Sequence, residues 1–169
     1  MPVTYNKIAS ASLSGGSSAS IDFDNIPATY DDIAVLISTR DASTNGAPAV
    51  NMEINGVTTN RSSRRLLGNG SAASSDSRTD AYVYSNAGAD YTASTFASAF
   101  IYLPNYAGST NKSFSVDGVS ENNATSANAI FLAGLWSSSA AITRLTFKSG
   151  SGTNLAQYST AVLYGIKKS

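Results

Sequence analysis

Apolar and polar residues alternate along most of this chain in short runs, and clusters of Gly, Asn, Pro and Ser separate one run from the next. Over 49–54, Val50, Met52 and Ile54 fall on one side of a predicted strand and Asn51 and Glu53 on the other. Over 113–119, Phe114 and Val116 oppose Ser115 and Asp117; over 143–148, Leu145 and Phe147 oppose Arg144, Thr146 and Lys148. The run Ile33-Ala34-Val35-Leu36-Ile37 is apolar without a break, as expected of a central strand covered on both faces. In 95–103, Phe96, Phe100 and Tyr102 alternate with Ala97, Ala99, Ile101 and Leu103, so both faces there read as partly covered. Further strands are predicted over 80–84, 129–136 and 159–166.

The turns are equally explicit. Residues 7–13 and 18–23 flank Ser14-Gly15-Gly16-Ser17 and read as a first hairpin, which Pro27 ends. Asn55-Gly56 suits the positive φ of a tight turn, with the next strand doubling back near it. Residues 60–70 fit a turn or two of helix capped by Asn60 and stopped by Gly68, or else a strand. Residues 71–79 read as a mobile polar loop. Pro104 to Gly108 and Ser149 to Gly152 are further breaks. With no sustained helical period and no long repeat, the expected fold is all-β, an antiparallel β-sandwich or jelly roll of about ten short strands in one domain, 1–169.

Composition narrows the chemistry. The 169 residues contain no His and no Cys, which removes the Ser-His-Asp triad, the Cys nucleophile, zinc sites of the usual N/S kind and any disulfide. Eleven basic and eleven acidic residues cancel, and only 13% of residues are charged, so no long-range field draws in nucleic acid or anionic lipid. No apolar stretch reaches the length of a membrane span, and the start, Met1 to Lys7, lacks a signal-peptide pattern. A neutral surface rich in hydroxyls and amides suits an oligomer, made in the cytoplasm and held in an assembly.

Carboxylates are the acid/base groups that remain, in the pairs Asp22 and Asp24, Asp31 and Asp32, and Asp117 and Glu121. Asp22 and Asp24 at period two stand about 7 Å apart on one strand face, near the spacing of glycoside hydrolases; a solvated strand face shows the same pattern. Asp41, in Asp41-Ala42-Ser43-Thr44-Asn45-Gly46, is a candidate calcium ligand or a turn former, and no metal or cofactor is expected. Arg61, Arg64 and Arg65, with Arg78 downstream, form the strongest local charge: a candidate partner contact, or arginines lying along Tyr faces and pairing with Asp residues of the same fold. Tyr82, Tyr84 and Tyr106, with Tyr91 and Trp136, are candidates for stacking on a glycan or for trimer contact, and equally for core packing. Asn-X-Ser/Thr triplets at Asn60, Asn69, Asn111 and Asn123 arise by chance in so Asn- and Ser-rich a chain and, without a secretory route, stay unmodified.

Several segments carry a resemblance. Ile21-Asp22-Phe23 with Ile26 to Asp32, Arg64 to Gly70, Ile101 to Ala107, Ser120 to Asn123, Ala133-Gly134-Leu135-Trp136 and Leu163 to Ile166 together resemble small virion structural proteins of tailed bacteriophages. The resemblance implies a jelly-roll-like β-sandwich, a homotrimer, that decorates and cements the outer capsid surface by binding the major capsid protein, without catalysis. Related domains in tail fibres give the alternative, a receptor-binding module that recognises host glycans. The lack of coiled-coil heptads and of a long terminal arm favours decoration over a fibre.

Overall fold

Period-two alternation becomes strands wherever one face can be buried. The computed structural model describes residues 4–123 and 127–167; Met1, Pro2 and Val3, and Ala124 and Thr125 of the last Asn-X-Thr triplet, lie outside them. Twelve strands run through the described residues: β1 (Thr4–Ser12), β2 (Ser20–Phe23), β3 (Asp32–Thr39), β4 (Ala49–Ile54), β5 (Arg61–Gly68), β6 (Ala73–Arg78), β7 (Tyr82–Ser85), β8 (Ala97–Pro104), β9 (Lys112–Ser120), β10 (Asn128–Trp136), β11 (Leu145–Ser149) and β12 (Thr160–Lys167). They form two antiparallel sheets of unequal size. One has eight strands in the order β1-β12-β3-β8-β9-β10-β5-β6, and the other four, β2-β11-β4-β7.

One hydrophobic cluster joins the two sheets. The four-stranded sheet contributes Val50, Met52, Ile54, Leu145 and Phe147, all fully buried, and the eight-stranded sheet contributes Ile33, Val35, Ile101, Val116 and Leu163. These are the inward sides of the alternations in β4, β8, β9 and β11. Close packing of the sheets depends on small residues beneath rings. A Cβ on Gly118 of β9 would lie 2.7 Å from Tyr84 Cβ, and one on Gly134 of β10 would lie 2.1 Å from the Phe114 ring. Each glycine is a seat for an aromatic side chain.

Turn chemistry explains much of the Asn content. Five of the seven described non-glycine residues with positive φ are Asn25, Asn55, Asn60, Asn105 and Asn123, consistent with the tolerance of Asn for left-handed backbone. Asn55 (φ 52°) and Gly56 (φ 77°) make the expected tight turn, closed by paired hydrogen bonds between Ile54 and Val57. The Asn55 side chain also accepts from the Thr143 and Arg144 amides and donates to the Ala141 carbonyl, fixing the entry to β11. Arg40 clamps the segment before β8: its guanidinium donates to the carbonyls of Ala89, Tyr91, Thr92 and Thr95 at 2.7–3.1 Å.

Several sequence expectations are corrected. Residues 7–13 and 18–23 do not form a hairpin: β1 pairs with β12 and β2 with β11, so the Gly15-Gly16 segment carries the chain from one sheet to the other. After Val57 the chain likewise leaves β4 for the other sheet instead of doubling back along it. Residues 60–70 are strand, because β5 is held between β10 and β6, and 71–79 contain β6, an edge strand and not a free loop. Pairing supplies the backbone hydrogen bonds that neither segment's own sequence demands. Finally, β3 is central but covered on both faces only in part: Ile33, Ala34, Val35 and Ile37 are buried, whereas Leu36 is 47% exposed.

The glycine seats yield a test. Gly118→Ala pushes a methyl group against the stem of Tyr84 and is expected to destabilise folding by about 1–3 kcal/mol. A urea midpoint unchanged from wild type would contradict the packing described.

Candidate functional site

The four-stranded sheet covers the inner face of the larger sheet, and no element covers the outer face among the described residues. Register places one row of side chains straight across that outer face. On one half Val162, Leu36 and Phe100 are cross-strand neighbours on β12, β3 and β8. On the other, Asp117, Phe131 and Leu66 are neighbours on β9, β10 and β5. Phe100 pairs with Asp117 at the centre, while Ser10 and Ser75 end the row on the edge strands.

Apolar exposure is concentrated here. Of the seven large apolar residues described as exposed, Tyr5, Leu36, Leu66, Val119 and Phe131 belong to this face. Leu36, Phe100, Val119 and Val162 line a shallow groove of about 430 Å³, and Leu66, Leu67, Ala129 and Phe131 line a second of about 330 Å³. Asp117 borders both. The next row carries Thr160, Ser38 and Ser98 on one half and Val119, Ala129 and Gly68 on the other, small groups apart from Val119. An extended apolar patch on an otherwise polar chain is the physical mark of an interaction surface.

The arginines predicted as a partner contact are mostly committed within the fold. Arg61 is buried, donates to the Met52 carbonyl and lies over the Phe114 ring with Cζ 5.4 Å from the centroid. Burial lowers its pKa to about 10, with the Asp80 charge acting upward, so it remains a cation at neutral pH. Arg65 makes a two-pronged bond to Asp76, at 3.1 and 2.6 Å, and lies over the Tyr82 ring; Arg78 covers the same ring and binds Asp80. Arg64 alone of the three candidates is exposed; it sits on the outer face and bonds the Ser63 carbonyl. The pattern of arginines on a Tyr face with Asp partners is therefore the one found for Arg65 and Arg78.

The aromatic candidates are also inside. Tyr82, Tyr84 and Tyr106 are buried, as are Tyr91 and Trp136, so none presents a ring face for a sugar or a neighbouring subunit. Tyr84 Oη meets Thr39 Oγ1 at 2.6 Å, Tyr82 Oη meets Ser85 Oγ at 3.1 Å, and Tyr106 Oη donates to the Pro27 carbonyl. Strand periodicity cannot tell an inner Tyr from an outer one when both faces carry apolar residues. The outward tyrosines are others: Tyr158 is exposed in the loop before β12, Tyr5 is 52% exposed and meets Tyr164 edge to face at 6.1 Å, and Tyr102 donates to Asp32 at 2.5 Å. Burial, then the Asp32 carboxylate, push the Tyr102 hydroxyl up to about 12.

The carboxylate pairs separate into structural roles. Asp22 and Asp24 are both bound by Arg144, at 2.9 and 3.0 Å, and Asp22 also accepts from Ser20 and from Thr146, which is buried instead of outward. Partial burial acts upward on Asp22, but the bonds from Ser20, Thr146 and Arg144 outweigh it and hold the carboxyl below its ordinary value. A carboxylate held this way is an ion-pair partner and not a poised acid. Asp32 accepts from Tyr102 and the Asn105 amide, Glu121 accepts from the Asn122 and Asn123 amides, and Asp117 stands on the open face. Asp41 is buried and accepts from the Ser43 amide and Thr153 hydroxyl; among the described residues no three acidic side chains gather to hold a metal.

The outer apolar row is what the sequence reading overlooked. Its signal is present in Ala129-Ile130-Phe131-Leu132 and in Ile33 to Ile37, where apolar residues occupy both faces of one strand. Comparison with known proteins adds no assignment: no family model matches the chain, and no curated protein or solved structure matches it.

Two outcomes follow from this geometry. Arg61→Ala exposes the Met52 carbonyl to an unfilled gap and is expected to cost about 2 kcal/mol in urea unfolding, whereas Arg64→Ala is expected to change stability by less than about 0.5 kcal/mol; equal losses would refute the division into inner and outer arginines. Asp80, like Asp22, is held below the ordinary Asp value of 3.8: burial acts upward on it, and the Arg78 bond and charge together with the Tyr82 amide act downward and prevail. A lowered folded pKa stabilises the fold above the unfolded value, and the gain is lost as pH falls through the folded one. Unfolding midpoints measured while the pH is lowered below 3.8 should therefore decline, and the decline should be shallower in Arg78→Met.

Proposed function

We propose that this chain is a non-catalytic structural protein of a tailed-phage virion, a decoration or cement protein that binds the outer capsid surface as an oligomer and stabilises the shell. The observation that carries this reading is the open, apolar-centred face of the eight-stranded sheet, which offers breadth for adhesion and no recess for turnover. Zero net charge supports it, because close association then meets little long-range repulsion. In this reading the two sheets form a jelly-roll-like sandwich, the oligomer is the homotrimer that the resemblance implies, the partner is the major capsid protein, and no cofactor takes part. Contacts that exist only on the assembled shell stabilise it by linkage.

A second reading rests on Tyr5 and Tyr164. Their edge-to-face pair at the exposed end of β1, near the Tyr102 hydroxyl, sets ring faces beside a polar group in the way a saccharide requires, and favours a receptor-binding module for host glycans.

One comparison separates the two. Virions stripped of this protein should release their genome at a temperature several degrees lower, and added pure protein should restore it; antibody-bound gold should then cover the head. An unchanged release temperature with gold at the tail tip, and cell labelling that Tyr5→Ala abolishes, would replace decoration with glycan recognition.

A further inference from the structure

We infer that the open face of the eight-stranded sheet is covered by a second copy of this chain, the two faces meeting about a two-fold axis that runs parallel to the strands between β8 and β9. The inference rests on the adhesive reading of that face and names its occupant in free solution; on a shell, in the capsid reading, the pair opens and the same face passes to the major capsid protein and the homotrimer.

The order of side chains across the face is self-matched about that axis. β8 and β9 are the fourth and fifth of the eight strands, so the axis bisects the sheet. Rotation by half a turn lays β3 over β10 of the second copy and β12 over β5, keeping each row on itself. Leu36 then meets Phe131 of the second copy, Val162 meets Leu66, and Ser10 meets Ser75 at the edges. Leu36, Val162 and the edge serines thus fall on groups of their own kind, while at the centre Phe100 falls on Asp117 of the second copy. In the adjoining row Ser38 faces Ala129 and Thr160 faces Gly68, side chains small enough to let the sheets approach to the usual ~10 Å, and Ser98 leaves room for Val119. The contact is isologous, so it closes on itself as a pair.

The area suffices. Eight strands at ~4.8 Å and three outward rows at ~7 Å give roughly 800 Å² per copy, the size of a standard stable interface. The chain's zero net charge puts no long-range barrier between copies. Two charges interrupt the face: Arg64 stands two residues along β5 from Leu66, and Asp117 with its counterpart flanks the axis, where like charges hold the affinity down.

Sedimentation equilibrium on the full chain tests this. Wild type should weigh twice the 17.4 kDa chain. Leu36→Glu and Phe131→Lys alter exposed side chains, so each should keep its far-UV circular dichroism, and each alone should be monomeric. Mixing the two should restore a dimer, because Glu at 36 then meets Lys at 131 while the native Phe131 and Leu36 meet across the other half. Asp117→Asn should tighten the wild-type dimer by about tenfold or more. A monomeric wild type, an oligomer of any size that survives Leu36→Glu, or a mixture that stays monomeric would overturn the inference. Failure of the capsid reading looks different: shells indifferent to the protein leave the dimer standing, and a monomer that still stabilises shells ends the pairing alone.

Discussion

A sheet has two faces, and a four-stranded sheet cannot cover more than one face of an eight-stranded one. That inequality governs this molecule. The inner face of the larger sheet is closed by β2, β11, β4 and β7 into a shared core, and its outer face is left to whatever the surroundings provide. Leu36, Phe131 and Leu66 are ordinary β-formers whose exposure follows from this count of strands and not from any local irregularity.

The inner contact is made close by removing bulk. Tyr84 lies on Gly118 of the facing sheet and Phe114 on Gly134 of the neighbouring strand, so aromatic rings fill the space between sheets without forcing them apart. The same economy applies to charge. Arg65 and Arg78 both lie over the Tyr82 ring and pair with Asp76 and Asp80, and Arg144 ties Asp22 to Asp24, so much of a small charged complement is spent within the fold. Beside Arg64 and Asp117, what the outer face presents is hydroxyl and apolar surface.

Such a surface suits adhesion. Apolar area contributes association energy without demanding a fixed direction, while the rows of Ser and Thr beside it exchange hydrogen bonds with water or with a partner at little net cost. Asp117 is the carboxylate that borders both grooves of this face, among apolar and hydroxyl side chains.

Period-two alternation determined by itself that the chain is all-β, where most strands lie, and which sides of β4, β8, β9 and β11 enter the core, because burying one face demands that pattern whatever the partner strand is. The Asn55-Gly56 turn was equally legible, since positive φ at successive residues restricts the choice of side chain. Tertiary structure alone decided that β1 and β2 part to different sheets, that 61–68 is strand and not helix, and that Tyr82, Tyr84 and Tyr106 turn inward while Leu36 and Phe131 turn outward. Those outcomes depend on which strands become neighbours and on how many strands each sheet collects. Both are set by contacts between residues far apart in the chain, on which local periodicity carries no information.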